Sequence, residues 1–234
     1  KVIDKLKNIV GKRHIIINSL RKQPFTKGWR YGRGEAVAVV KPGTLLEIWK
    51  VLQICVDEEI IIIMQAANTG LTGGSTPYGN DYDRQVLIIN TMRIKDIHVI
   101  KEGKQVVGLT GSTLYELEKM LKPYGREPHS IIGSTSIGAS IVGGVCNNSG
   151  GSLVQRGPAY TELALYAKIN QKGQLELVNE LDIDLGSNPE EILNNLQNKK
   201  YNVEDIKHTN KLASDDKYSK IVREINKKTP ARFN

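Results

Sequence analysis

Cysteine is scarce: two occur in 234 residues, Cys55 and Cys146. They show neither a pairing pattern nor metal-ligand spacing, which argues against a disulfide framework and a thiolate metal centre and leaves free thiols in a reducing compartment. Long apolar runs are also missing. The longest, such as Ile60 to Met64, fall far short of the roughly 18 residues that a membrane-spanning helix needs. Lys1 opens a charged amphipathic stretch without the apolar centre of a secretion signal, so a cytoplasmic chain is expected. No Gly-Lys-Ser/Thr occurs, which excludes a P-loop. No G-x-G-x-x-G sits at a strand-to-helix turn with an acidic partner, which disfavours the ordinary dinucleotide fold. Internal repeats and low-complexity tracts are absent as well.

The net charge of +8 is unevenly placed. Lys1 to Arg33 holds ten basic residues and one acidic, and Lys199 to the end holds ten and five; the middle, with 13 and 19, is net −6. Glycine-dense loops in an acidic middle are poorly suited to a nucleic-acid backbone, so no nucleic-acid partner is expected. The basic ends suit a solvated face, an anionic membrane surface or a partner subunit.

Apolar positions at Val2, Ile3, Leu6, Ile9 and Val10 predict an N-terminal helix. Pro24 to Glu35 reads as a polar connection. Ala36 to Val40 reads as a strand, followed by a helix from Thr44, capped with Glu47, to about Glu58. Ile60 to Gln65 then reads as a fully buried strand, giving a parallel, right-handed strand-helix-strand crossover. Further strands are expected at Val86 to Asn90, Ile97 to Ile100 and Gln105 to Leu109, with a turn at Gly103. A helix capped by Ser112 should reach Leu121 and stop before Pro123. Leu163 to Ile169 and Gln174 to Asn179 predict a hairpin around Asn170 to Gly173, and Pro189 to Leu196 a short helix. From Asn198 onward the composition predicts loose order.

Two loops carry the chemistry. The first, Ala66 to Ser75, follows a strand and joins small side chains (Ala66, Ala67) to Gly70, Gly73 and Gly74, with Asn68, Thr69 and Ser75 as hydroxyl or amide donors. Glycines able to adopt positive φ let successive backbone N–H groups converge on an anionic oxygen, which makes a pyrophosphate cradle without lysine. The second, Ile131 to Gly151, is denser in glycine but is interrupted by Ile137, Ile141, Val142 and Val145, which a flexible linker would not contain. Gly133, Gly138, Gly143, Gly144 and Gly150 would let backbone approach a flat ring or its polyol linker, with Ser140 among the donors. Together the loops suggest one extended ligand, a dinucleotide, gripped at both ends. No catalytic residue is nominated: His14, His98, His129 and His208 are read as structural or surface histidines, and no metal site is expected.

These motifs resemble a known family. Gln-Ala-Ala-Asn-Thr-Gly-Leu-Thr-Gly-Gly-Ser-Thr-Pro-Tyr-Gly-Asn-Asp-Tyr-Asp from Gln65, Gly-Arg-Glu-Pro-His-Ser from Gly125, and Gly-Ala-Ser-Ile-Val-Gly-Gly-Val-Cys-Asn-Asn-Ser-Gly-Gly from Gly138 are similar to the flavin-binding domain of bacterial respiratory, quinone-dependent D-lactate dehydrogenases. More widely, they resemble the vanillyl-alcohol-oxidase type of FAD domain. The resemblance implies an α+β, two-lobed PCMH-type FAD-binding domain, with a small parallel βαβ lobe and a mixed or antiparallel lobe with flanking helices. The expected divisions are a helical segment over 1–31, the FAD-binding domain over 32–203 with lobes of about 32–100 and 101–203, and a connection over 204–234 toward a substrate domain outside this chain.

By the same resemblance, non-covalent FAD would meet Ala66, Ala67, Asn68, Thr69, Gly70, Gly74 and Ser75 at its pyrophosphate, and Gly133, Ser140 and Gly150 along the remainder. D-lactate and quinone become the expected partners of the longer enzyme, which would lie peripherally on the cytoplasmic face of the bacterial inner membrane. Two alternatives stay open: a flavin enzyme of the same fold acting on another 2-hydroxy acid or alcohol, and a non-catalytic nucleotide-binding or membrane-surface module.

Overall fold

A computed structural model describes residues 1–129, 131–149, 161 and 163–206. The chain divides into two compact units. The first comprises Lys1–Lys95 with Lys168–Glu176, and the second runs from Asp96 to Ala167 and from Leu177 on.

The first unit opens with α1 (Val2–Val10), which buries Leu6 and Val10. It continues through β1 (Ile15–Ile16), α2 (Ser19–Thr26), β2 (Ala38–Val40), α3 (Leu45–Asp57), β3 (Ile61–Gln65) and β4 (Val86–Asn90). The four strands form one sheet in the order β1-β2-β4-β3. β2 and β3 each pair parallel to β4, while β1 pairs antiparallel to β2. The expected crossover is therefore parallel, but β4 lies between the two strands that α3 connects.

Strand position explains burial. β4 is buried at every residue, as its unbroken Val-Leu-Ile-Ile run requires of a central parallel strand. β3 is not the fully buried strand expected from the sequence. It pairs only with β4 at the sheet edge, and Met64 is 44% exposed. Alternate residues of the sheet serve two cores: Ala38, Val40, Leu87 and Ile89 meet Leu6, Val10, Val51 and Cys55, while Val39, Val86 and Ile88 meet Phe25 and Ile63 on the other side. Each fully buried Leu or Ile contributes about 1.5–3 kcal/mol.

α3 begins as expected, with the Thr44 hydroxyl accepting from Glu47 N at 3.0 Å. The Glu47 carboxylate reaches one residue further back, to Gly43 N at 2.6 Å. α2 was not foreseen. It carries Pro24 inside it, and the Asn18 side chain caps it by accepting from Arg21 N.

In the second unit, β5 (Ile97–Ile100) and β6 (Gln105–Gly108) form an antiparallel hairpin with Gly103 at φ 76° in its turn. α4 (Leu114–Leu121) packs Leu114, Leu117 and Leu121 with Ile97 and Ala139. Its cap is Thr113 and not Ser112, because Thr113 and Glu116 close a reciprocal capping box while the Ser112 hydroxyl donates to Asp96 O. α5 (Ile141–Cys146) was also unforeseen. β7 (Leu165–Ile169) and β8 (Leu175–Asn179) make the expected hairpin, of which Lys168–Glu176 belongs to the first unit, and α6 (Pro189–Gln197) follows its Asn188 cap. Among the described residues, no helix is long and apolar enough to cross a membrane. The structure is thus α+β, as the sequence implied.

Candidate functional site

The first loop leaves β3 at Gln65, a polar residue 2% exposed at the end of an apolar strand. Gln65 Nε2 donates to Phe25 O and to Ser75 O, each at 2.8 Å, while its Oε1 accepts from Asn90 Nδ2 at 3.2 Å. The same Asn90 amide donates to Ala66 O at 2.9 Å. All polar atoms of the Gln65 side chain thus have partners, as a buried amide requires.

Asn68 adopts the left-handed conformation, φ 55°, which asparagine tolerates better than most residues. Its Nδ2 donates to Lys27 O at 2.8 Å and to Pro24 O at 3.3 Å, and its Oδ1 accepts from Ser75 Oγ at 2.8 Å. Asn68 and Ser75 therefore close the loop on itself and on the end of α2. The sequence casts their side chains as donors to a ligand, but the structure commits their hydrogens within the chain.

The main chain of the loop is left uncommitted. From Asn68 to Ser75 no backbone N–H donates to an acceptor among the described residues. Among the described residues, a Cβ added at Gly70 or at Gly74 would meet nothing within 4 Å, so none of their atoms demands glycine at either place. Of the three glycines that permit positive φ, only Gly73 takes it, at 78°. A partner of this surface would meet bare backbone, open donors and no basic side chain from the loop, a donor set suited to phosphate oxygens.

Behind the loop lies Pro24 to Glu35, whose composition reads as a polar connection. Gly34 and Gly79 form a parallel bridge, Glu35 N donates to Gly79 O at 2.9 Å, and Gly28 N donates to Gly32 O at 2.7 Å. A Cβ at Gly32 would fall on Thr76 Oγ1 and within 3.1 Å of Gly73 Cα. One at Gly34 would lie 2.6 Å from Gly79 O. These glycines exist so that two stretches of backbone can touch. The triplet Gly28, Gly32, Gly34 was the available signal.

The second stretch folds less like a loop than its composition suggests. Residues Thr135–Ile137 form a 3-10 turn closed by Gly138 at φ 100°, and Ser140 then caps α5 by accepting from Gly143 N at 3.0 Å. Ser140 is buried, and Leu114 N donates to Ala139 O, which ties the stretch to α4. Gly143 and Gly144 lie inside α5, where a Cβ at Gly143 would come 2.7 Å from the Ser140 hydroxyl. Gly133 is exposed, and a Cβ there would have no neighbour within 4 Å among the described residues. Asn147 Nδ2 donates to Gly143 O at 2.8 Å. Gly150 and His208 lie outside the described residues.

The second unit also holds an ionisable cluster around one buried histidine. The His98 ring, 4% exposed, hydrogen-bonds through Nδ1 to the Tyr201 hydroxyl, and its Nε2 lies 3.6 Å from Asp96 Oδ2, which Lys199 approaches on Oδ1 at 3.4 Å. Burial first, then the Lys199 charge, lowers the His98 pKa against the opposing pull of Asp96. Burial pushes the Tyr201 hydroxyl up to about 12. No group of three or more potential metal ligands occurs among the described residues.

Comparison with known proteins adds an independent line. The family described as FAD binding domain matches residues 36–173. Over all 234 residues the chain is 58% identical to a quinone-dependent D-lactate dehydrogenase of Haemophilus influenzae, of which it covers 42%. Over 232 residues, 99% of the chain, it is 55% identical to the quinone-dependent D-lactate dehydrogenase of Escherichia coli, covering 41% of that protein. The chain thus spans about two fifths of the length of these relatives. Among solved structures, an alkyldihydroxyacetonephosphate synthase superposes on 64% of this chain and 29% of its own with a TM-score of 0.56 at 16% identity, a likeness of fold alone.

Proposed function

The chain belongs to the FAD binding domain family, and on that premise we propose that it is the cofactor-holding part of a flavin-dependent, quinone-linked D-lactate dehydrogenase. FAD, when bound, supplies the two-electron chemistry that takes D-lactate to pyruvate and passes the electrons on to quinone. The chain's own contribution is to bind and orient. The observation that carries the reading is the run of backbone N–H groups from Asn68 to Ser75 without acceptors among the described residues, beside Gly70 and Gly74, where an added Cβ would meet no atom of the described residues within 4 Å.

On this reading the pyrophosphate lies against Ala66, Ala67, Asn68, Thr69, Gly70, Gly74 and Ser75, touched mainly by main-chain donors. The small side chains of Ala66 and Ala67 let the ligand approach the backbone. Gly133, Ser140 and Gly150 hold the remainder of FAD, within a domain spanning 32–203. Binding is non-covalent. Segment 204–234 leads toward the part of the polypeptide that holds lactate and receives its proton, so no histidine of this chain is assigned as the base.

The identities above support D-lactate as substrate and quinone as acceptor. The proposal includes a peripheral position on the cytoplasmic face of the inner membrane, where a lipid-dissolved quinone is within reach and the +9 segment Lys1 to Arg33 can face anionic lipid. The test is titration of the purified chain with FAD, followed by flavin fluorescence. Saturation at one equivalent supports the proposal, and the absence of binding after refolding with excess FAD overturns it.

A further inference from the structure

The end of α2 is held by the loop that follows β3. The last carbonyls of a helix have no partners within it and must find them elsewhere. At the end of α2 the carbonyls of Pro24 and of the capping residue Lys27 accept from Asn68 Nδ2, the Phe25 carbonyl accepts from Gln65 Nε2, and Thr26 O accepts from Gly34 N. Gln65 uses its second hydrogen on Ser75 O, at the far end of the glycine loop. One buried amide therefore bridges two carbonyls ten and forty residues away in sequence.

We propose that Gln65 is a positioning residue for FAD: its amide fixes the distance between the end of α2 and the close of the loop, and so sets the curvature in which the Asn68 to Gly74 N–H groups are presented. The inference rests on the reading of that loop as the pyrophosphate site. It also makes α2, which precedes the family match at residue 36, part of the cofactor site's framework.

The chemistry of Gln65 is unusually constrained. Both atoms facing Nε2 are carbonyl oxygens, which can only accept, and Oε1 faces the donor Asn90 Nδ2. Only a group with two hydrogens on one side and a lone pair on the other satisfies all three. In Gln65→Glu a carboxylate would face two carbonyl oxygens, and repulsion would displace the loop; a protonated carboxyl would restore one of the two donor bonds. A residue that merely fills space would not become sensitive to pH on this exchange.

The experiment measures FAD affinity of the wild-type chain and of Gln65→Glu from pH 5 to pH 8, with circular dichroism confirming the fold at each pH. The expected result is at least a tenfold loss of affinity at pH 8, recovering severalfold toward pH 5 relative to the wild type. Affinity equal to wild type at every pH, or a loss that does not vary with pH, overturns the positioning role while leaving FAD binding intact. Wild-type protein that binds no FAD overturns the functional reading itself and this inference with it. If Gln65→Glu does not fold, Gln65→Met is the decisive variant: it keeps the length of the side chain but removes both hydrogens facing Phe25 O and Ser75 O, so at least a tenfold loss of FAD affinity, equal at every pH, is expected, and affinity equal to wild type counts against the role.

Discussion

The side chains of Ser75 and Asn68 meet at 2.8 Å, hydroxyl donating to amide oxygen, and so join the two ends of the loop proposed to carry pyrophosphate. This bond shapes the site without touching the ligand. Ser75→Ala is expected to leave the fold intact and to weaken FAD binding by about 0.5–1.5 kcal/mol, the net worth of one hydrogen bond, roughly a two- to tenfold rise in Kd. Isothermal titration of the variant checks it.

Glycines of the first unit divide into two kinds. Gly70→Ala and Gly74→Ala place a methyl in open space, so they should shift the unfolding midpoint little while weakening FAD binding tenfold or more. Gly32→Ala puts a methyl on Thr76 at φ 88° and should lower stability by about 1–3 kcal/mol whether or not FAD is present. Thermal melts with and without cofactor separate the two.

That division was only half legible in the sequence. The loop's glycines were readable as ligand-facing because they follow a strand, but the role of Gly32 and Gly34 depends on Gly73 and Gly79, more than forty residues away in the chain. The same distance hid the partners of Asn68 and Gln65. A side-chain amide in a loop reads as a free donor until the carbonyls that claim it are known.

Elements followed similar logic. β4 declared itself through an unbroken apolar run, and α3 and α6 through caps and periodicity. α2 stayed hidden because Pro24 argues against a helix, and α5 because Gly143-Gly144 lowers helix propensity where tertiary packing overrides it. β3 read as central because its composition is apolar, although composition says nothing of which strand β4 would pair beside.

The buried His98 makes stability depend on pH. Its folded pKa lies below the ordinary 6.5, so the native state holds it neutral while the unfolded chain takes up a proton; stability present above about pH 6.5 is lost as pH falls. The facing groups are Tyr201, Asp96 and Lys199. The wild type should lose up to about 1.4 kcal/mol per pH unit below that point from this residue, and His98→Gln should flatten the slope. Urea denaturation at a series of pH values measures it.

Thiol reactivity should be split between the two cysteines. Cys55 is buried in the core of the first unit, and burial pushes its thiol up to about 12, whereas Cys146 is exposed. One equivalent of a thiol reagent such as 5,5′-dithiobis(2-nitrobenzoate) should react promptly and the second only on unfolding. Prompt reaction of both would contradict the packing of α3 against the sheet.

The measurement closest to the centre of the account is the visible spectrum of the 234-residue chain after refolding with excess FAD and removal of free cofactor, followed by acid precipitation and mass analysis of the supernatant. A yellow protein carrying one equivalent of flavin is expected, all of it released by acid with the mass of intact FAD. A colourless protein would contradict the assignment of the Asn68 to Ser75 backbone to a dinucleotide, and colour that stays with the precipitate would contradict non-covalent binding.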